Sequence, residues 1–212
     1  MKDNAQVSSQ VVRRLPRYYR FLCELQKSGI VRISSKELAR RMNLTASQIR
    51  QDLNCFGGFG QQGYGYNVDQ LATEIEKILC LDSRLPAILI GVGNLGRALT
   101  SYLAYEAKGI NLIGLFDKNP QAVLEHSPDF NVLGTSRLED FCKENKPKIA
   151  ILCIPGENAQ VMADRLVALG IVGFWNFSHI DLRLDTAVQV ENVHLGDSLM
   201  TLGYNVKAPL SE

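Results

Sequence analysis

The stretch Ala87-Ile88-Leu89-Ile90-Gly91-Val92-Gly93-Asn94-Leu95-Gly96 decides the fold. Four consecutive apolar residues suit a central parallel strand, buried on both faces. They run straight into Gly91-x-Gly93-x-x-Gly96 and then into a helix, Leu95 through Tyr105. A second apolar run, Ile110 to Phe116, ends in an acid, Asp117, 21 residues beyond Gly96. A glycine triplet alone is weak evidence. With a strand before it, a helix after it and an acid at this distance, it is the fingerprint of a dinucleotide-binding Rossmann unit.

Each position in the fingerprint has a job. Gly91 permits the tight turn, Gly93 lets a pyrophosphate approach the backbone, and Gly96 lets helix and strand pack closely. Val92, Asn94 and Leu95 complete the turn and open the helix, whose free amides and positive dipole end favour phosphate. Asp117 can accept hydrogen bonds from both adenosine ribose hydroxyls and would repel a 2′-phosphate, so NAD(H) is the expected cofactor in preference to NADP(H). Lys118 beside it joins the cofactor-binding candidates, as a cation that could soften that preference or is simply solvated. Helix Arg137–Glu144, strand Lys148–Ile154, helix Asn158–Leu169 and strand Ile171–Asn176 continue the alternation. Pro155 and Asn176-Phe177-Ser178 fall at strand ends on the carboxyl edge of the sheet. Ligands bind there in open α/β folds, which makes these residues candidates for the nicotinamide ribose end.

The net charge of +1 conceals an asymmetry. Residues 1–66 hold 11 Lys/Arg against 4 Asp/Glu, a net of +7, and residues 67–212 hold 12 against 18, a net of −6. A basic module that meets a polyanion, joined to a module with other work, is the reading. Within the basic part, Leu15, Tyr18, Leu22 and Leu25 share one helical face and Arg13, Arg17 and Arg20 another, with Pro16 inside the pattern and Gly29 at its end. Ser34 and Glu37 form a capping box, the hydroxyl taking the Glu37 amide and the carboxylate reaching back. After Asn43-Leu44, Thr45 to Gln48 repeats the logic and opens a third helix through Ile49, Leu53 and Cys55. Two short capped helices with a brief turn outline a helix-turn-helix. Ser47, Gln48, Arg50 and Gln51 are the exposed residues at the start of its second helix, suited to base edges or phosphates in a major groove. Arg13, Arg14 and Arg17 join them as DNA-binding candidates. Glycines alternating with aromatics in FGGFGQQGYGY (residues 56–66) suit a hairpin wing, which adds Phe59, Gly60, Gln61, Gln62 and Tyr64. A further amphipathic helix covers residues 68–80.

Five scattered cysteines without a C-x-x-C pair argue against a disulfide framework or a zinc site, and Cys153 reads as a buried strand residue. No metal is expected. Met1-Lys2-Asp3-Asn4 lacks a signal-peptide core and no apolar run reaches bilayer length, so the expected location is the cytoplasm. For an enzyme, a proton-transfer group beside the cofactor is needed. His126 lies in the loop Glu125–Pro128, His179 could sit near a nicotinamide, and His194 falls in the terminal segment. No catalytic constellation surrounds them, and catalysis is not expected. A small NAD(P)-dependent oxidoreductase is the alternative reading, and a coenzyme A-binding protein a third. The segment from Glu191 to Leu202 is helix-like, with Leu195, Leu199 and Leu202 on one face, either packed on its own domain or docked into a partner subunit.

The sequence as a whole resembles the Rex family of redox-sensing transcriptional repressors of Gram-positive bacteria. The resemblance rests on RRLPRYYRFL (13–22), SSKELARRMNLTASQIRQDL (34–53), FGGFGQQGYGY (56–66), GVGNLG with Asp117, CIPGENAQ (153–160) and NFS (176–178). It implies an α/β chain with a winged helix-turn-helix at 1–80, a doubly wound Rossmann domain at 81–190, and a domain-swapped C-terminal helix and tail at 191–212. It also implies a homodimer that holds palindromic double-stranded operator DNA when NADH is low and leaves it when NADH binds. Tyr102 matches a family tyrosine near the nicotinamide, or serves packing. Gln51 stands where many relatives have lysine, and Gln61-Gln62 where they have a basic wing residue. His194 takes the place of a carboxylate that pairs, in relatives, with an arginine matching Arg20. Asp197 is the nearest acid, and the latch is left unassigned.

Overall fold

The computed structural model describes residues 7–57, 59–61, 64–105 and 108–207, and divides the chain into two compact units, one up to Asp82 and one from Ser83. The first unit opens with α1 (Ser9–Lys27). Strand β1 (Arg32–Ile33), α2 (Ser35–Met42), α3 (Ala46–Asn54), β2 (Gly60–Gln61), β3 (Gly65–Asn67) and α4 (Val68–Ile78) follow. Ser34 caps α2 and Thr45 caps α3, each hydroxyl accepting the amide three residues on. The Glu37 carboxylate does not reach back to close the capping box; it bonds Arg40 and Arg41 instead. Asn43 ends α2 in the left-handed region at φ 53°, where an asparagine is tolerated better than a branched residue. Leu15, Tyr18, Leu22 and Leu25 from α1 meet Leu38, Met42, Ile49, Leu53, Leu71 and Ile75 in one core. The hairpin forms a three-stranded antiparallel sheet in the order β1-β3-β2, so the wing includes β1, a strand the sequence pattern did not reveal.

The second unit is built on a six-stranded sheet. Its strands are β4 (Leu85–Ile90), β5 (Ile110–Asp117), β6 (Val132–Gly134), β7 (Ile149–Leu152), β8 (Gly173–Asn176) and β9 (Gln189–Asn192). All pair in parallel, in the order β6-β5-β4-β7-β8-β9. That is the doubly wound dinucleotide order, with its switch point between β4 and β7. The helices are α5 (Asn94–Tyr105), α6 (Pro120–His126), α7 (Leu138–Asn145), α8 (Gly156–Ala168) and α9 (Leu195–Lys207). Alternate residues of the strands feed two cores. Ile88, Ile90, Phe116, Ala150 and Leu152 pack with α7 and α8, while Leu89, Leu115 and Ile151 pack with Leu99 and Leu103 of α5 and Val123 of α6. His126 closes α6 rather than lying in a loop. Residues 189–192, which include the head of the expected terminal helix, are strand β9 on the sheet edge, and α9 begins at Leu195.

The contact that holds the glycine turn is backbone on backbone. A Cβ placed on Gly96 would collide with the Gly91 carbonyl oxygen, whereas one on Gly93 meets nothing within 4 Å. Gly96→Ala is therefore expected to cost the second unit about 1–3 kcal/mol, because a carbonyl cannot rotate aside as a side chain can. Gly93→Ala should leave stability unchanged. Urea unfolding followed by the fluorescence of Trp175, the chain's single tryptophan, separates the two.

Candidate nucleotide cradle and DNA-binding face

The cradle lies at the carboxyl end of β4. Gly91 has φ +94°, and a Cβ there would come within 2.5 Å of the Cys153 carbonyl oxygen, so the turn is wedged between β4 and the end of β7. Val92 is buried, and its amide donates to Asp117 Oδ2 at 2.9 Å. Asp117 Oδ1 accepts from the Asn119 amide at 2.9 Å. One carboxylate thus fixes the glycine turn and the start of the next loop while keeping lone pairs for other donors. Gly93 and Asn94 are exposed and Leu95 is half-buried. Asn94 Oδ1 accepts from Arg97, which also reaches Ser127 Oγ. Open space over Gly93, the start of a 12-residue helix and a carboxylate across the turn are brought together here, the combination that suits an anionic group at a helix N-terminus.

The remaining cofactor candidates divide. Lys118 and Pro155 are exposed, and Pro155 caps α8 at the sheet's carboxyl edge. Asn176 and Ser178 are buried and spent on each other. The Asn176 amide donates to Ile180 O at 2.7 Å and Asn192 Oδ1 at 2.8 Å, and its oxygen accepts from the Ser178 amide and hydroxyl. Their side chains shape the loop after β8. Phe177 packs edge-on against Trp175, centroids 4.7 Å apart. Tyr102 is exposed on α5, eight residues past its start or roughly 12 Å along the axis, away from the glycine turn. His179 is exposed. His194 bonds Asp181 Oδ1 at 3.0 Å, which raises the imidazole pKa. Cys153 lies just past β7, half-buried, and burial pushes its thiol up to about 12, so its thiolate is not available near neutrality.

On the first unit, α3 exposes Ser47, Arg50, Gln51 and Asn54, spaced 3, 1 and 3 and so on one face. Asn54 was not among the candidates, although the spacing contains it. Gln48 is turned to the side, where its Nε2 donates to Asp52 Oδ1 at 2.9 Å. Asp52 is 1 % exposed and also accepts Arg14 twice, at 2.7 and 2.8 Å, and Tyr18 Oη at 2.7 Å. Arg14 is thereby committed to the interior, pinning α1 to α3. Arg17 donates to the Met42 carbonyl at the end of α2, and Arg13 is exposed. Arg50 holds Ser35 Oγ at 3.1 Å. In the wing, Phe59 packs on the core, Gly60 and Gln61 form β2, and Tyr64 is 70 % exposed. Gln62 lies outside the described residues. Among the described residues no group of His, Cys, Asp and Glu could hold a metal ion, and no helix is long and apolar enough to cross a membrane.

A winged helix-turn-helix and a doubly wound dinucleotide fold in one chain define a two-part regulator. The profile described as "Putative DNA-binding protein N-terminus" matches residues 6–54, and that described as "CoA binding domain" matches residues 82–180. The redox-sensing transcriptional repressor Rex of Thermoanaerobacter pseudethanolicus is 53 % identical over 97 % of this chain and 92 % of its own. The Rex of Clostridioides difficile is 51 % identical over 98 % and 99 %. Among solved structures, RSP in complex with β-NAD+ and operator DNA superposes with a TM-score of 0.88 at 54 % identity, covering 94 % of this chain and 92 % of that one. RSP in complex with β-NADH gives 0.85 at 50 % identity and 95 % coverage of both chains. The chain belongs to the Rex family of redox-sensing transcriptional repressors.

Burial works against the charge of Asp52, but the hydrogen bonds from Arg14, Tyr18 and Gln48 outweigh it and hold the carboxyl below its usual range. Because the folded-state pKa is depressed, its stabilisation is present above the unfolded value of about 3.9 and is lost as pH falls below that. Asp52→Asn leaves Arg14 without its ion pair and is expected to cost the first unit about 3 kcal/mol at pH 7. The gap should narrow as pH drops below about 4. Urea titrations followed by NMR signals of α1 and α3, at a series of pH values, check both the size and the sign.

Proposed function

We propose that this chain is a redox-sensing repressor that binds double-stranded operator DNA as a homodimer and leaves it when NADH occupies the cradle. The observation that carries this reading is a relative at 54 % identity solved with β-NAD+ and operator DNA, and at 50 % with β-NADH. The relatives named above are repressors rather than oxidoreductases, so the enzyme alternative gives way. Against the coenzyme A label of the second profile stands Asp117. A carboxylate facing the adenosine ribose disfavours a ribose phosphate, whether the 3′-phosphate of coenzyme A or the 2′-phosphate of NADP(H). Acting on chromosomal operators places the protein's work in the cytoplasm.

The parts have separate jobs. Gly91 to Gly96 hold the pyrophosphate through backbone amides, Asp117 takes the ribose, and Pro155, Asn176, Phe177 and Ser178 form the wall at the sheet's carboxyl edge. The oxidised and reduced cofactors differ only at the nicotinamide, in charge and ring planarity, so discrimination belongs to that end. Ser47, Arg50 and Gln51 enter the major groove, with Asn54 on the same face, while Gln48 is held beside them and the wing meets the backbone. In a dimer the two recognition helices serve half-sites about 34–36 Å apart. NADH has to favour the non-binding arrangement by only ~1–3 kcal/mol to change operator affinity roughly 5- to 150-fold.

Support for the dimer comes from α9. None of its residues is buried: Leu195, Leu199, Leu202 and Val206 form one stripe, each 58 to 76 % exposed. Packing on its own domain is therefore not what covers it. Each such side chain is worth about 1.5–3 kcal/mol once buried, which makes a partner subunit the expected cover. Leu199→Asp with Leu202→Asp should turn a dimer into a monomer by sedimentation velocity and abolish binding to a palindromic operator duplex. A variant that stays dimeric would contradict the role given to α9. Failure of the unaltered protein to bind operator DNA would overturn the repressor reading itself.

A further inference from the structure

The hairpin of the wing has no cation of its own. Between Arg50 and Lys77 the sequence contains neither lysine nor arginine, yet a wing that lies along DNA meets a line of phosphates. The sheet supplies what the hairpin lacks. Strand β1 pairs with β3, Arg32 opposite Asn67 and Ile33 opposite Tyr66, and so brings Arg32 from the α1–α2 connection onto the wing. Its guanidinium sits over the Tyr64 ring, 5.9 Å from the centroid, and Nη1 donates to the Tyr64 carbonyl at 3.4 Å. A cation held over an aromatic face keeps its charge while losing rotamer freedom.

The other arginines around α2 are more fully engaged. Arg40 and Arg41 pair with Glu37, Arg14 is spent on Asp52, and Arg17 caps α2. Among the described residues no carboxylate pairs with Arg32, and both it and the Tyr64 ring are exposed. Arg50 of α3 reaches Ser35 Oγ, two residues beyond the end of β1, so α3 is tied to the same connection that carries Arg32.

We infer that Arg32 is the wing's contact to the DNA phosphodiester backbone, oriented by Tyr64. This inference rests on the repressor reading above. A phosphate contact fixes position without reading sequence, so it contributes equally on every duplex. Each one lost lowers the slope of log K against log salt by about 0.9, and costs roughly eightfold in affinity per half-site at 0.1 M salt.

The test is a salt titration of binding to the operator and to a scrambled duplex of equal length by fluorescence anisotropy. The unaltered chain is compared with Arg32→Gln, Arg32→Lys and Tyr64→Leu, with circular dichroism melting as the check on folding. Arg32→Gln should shed about 0.9 in slope per half-site on both duplexes. Arg32→Lys should restore most of that slope, and Tyr64→Leu should weaken both duplexes alike while keeping it. An unchanged slope in folded Arg32→Gln overturns the assignment. So does a loss confined to the operator, which marks a base contact, or a failure of lysine to restore what glutamine removes. If the unaltered chain binds neither duplex, the repressor reading fails, and the inference with it.

Discussion

Two stretches of backbone meet at the glycine turn more closely than any side chain permits. The first turn of α5 rests on the Gly91 carbonyl at Gly96, and the turn itself is wedged against the Cys153 carbonyl at the end of β7. Those contacts set where α5 begins relative to the sheet, and therefore where its free amides point. Asp117 then ties the turn to the neighbouring strand through Val92. The cradle is thus a by-product of close packing at the switch point of the sheet. Only the space above Gly93 is left open, and that is the one glycine of the three whose lack of a side chain the protein's own packing does not require.

The DNA-binding unit is organised around a different constraint, a single buried carboxylate. Asp52 collects donors from Arg14, Tyr18 and Gln48, two of them 38 and 34 residues away in sequence. A buried ion is tolerated only when its hydrogen bonds are complete, and here completeness requires α1 and α3 to hold one register. The recognition helix is consequently fixed from behind, and its exposed face carries groups that stay available for DNA.

Much of this was legible in the sequence. The helices with strong periodicity, α1 to α4, read correctly, as did the fingerprint turn with α5 and the strands on either side of it. What escaped was short. Strands β1, β6 and β9 hold two to four residues each, too few for an alternation to register, and β9 was absorbed into the pattern of the helix after it. Helix α6 does carry a start signal, Asn119 as cap and Pro120 in the first turn. The site residues divide in the same way. The close backbone contacts at Gly91 and Gly96 follow from spacing, because they depend on local geometry. Asp52 claims the side chains of both Arg14, 38 residues away, and Gln48, one turn back on the same helix; a pattern gives the face of a helix and not the partner that a side chain finds. Arg32 went unnoticed because only the pairing of β1 with β3 carries it to the wing. The apolar stripe of α9 was evident from the start, and the structure adds that its own domain leaves it uncovered.

The central claim is that one chain couples nucleotide redox state to operator binding, and its most direct test is competitive release. The dimer is bound to a fluorescent palindromic operator, and NADH, NAD+ and NADPH are titrated in separately. The account predicts that NADH at micromolar concentration releases the DNA while NAD+ does not, and that NADPH acts only at much higher concentration because Asp117 repels its 2′-phosphate. Tight operator binding indifferent to all three nucleotides would contradict it, leaving a repressor whose cradle plays no part in regulation.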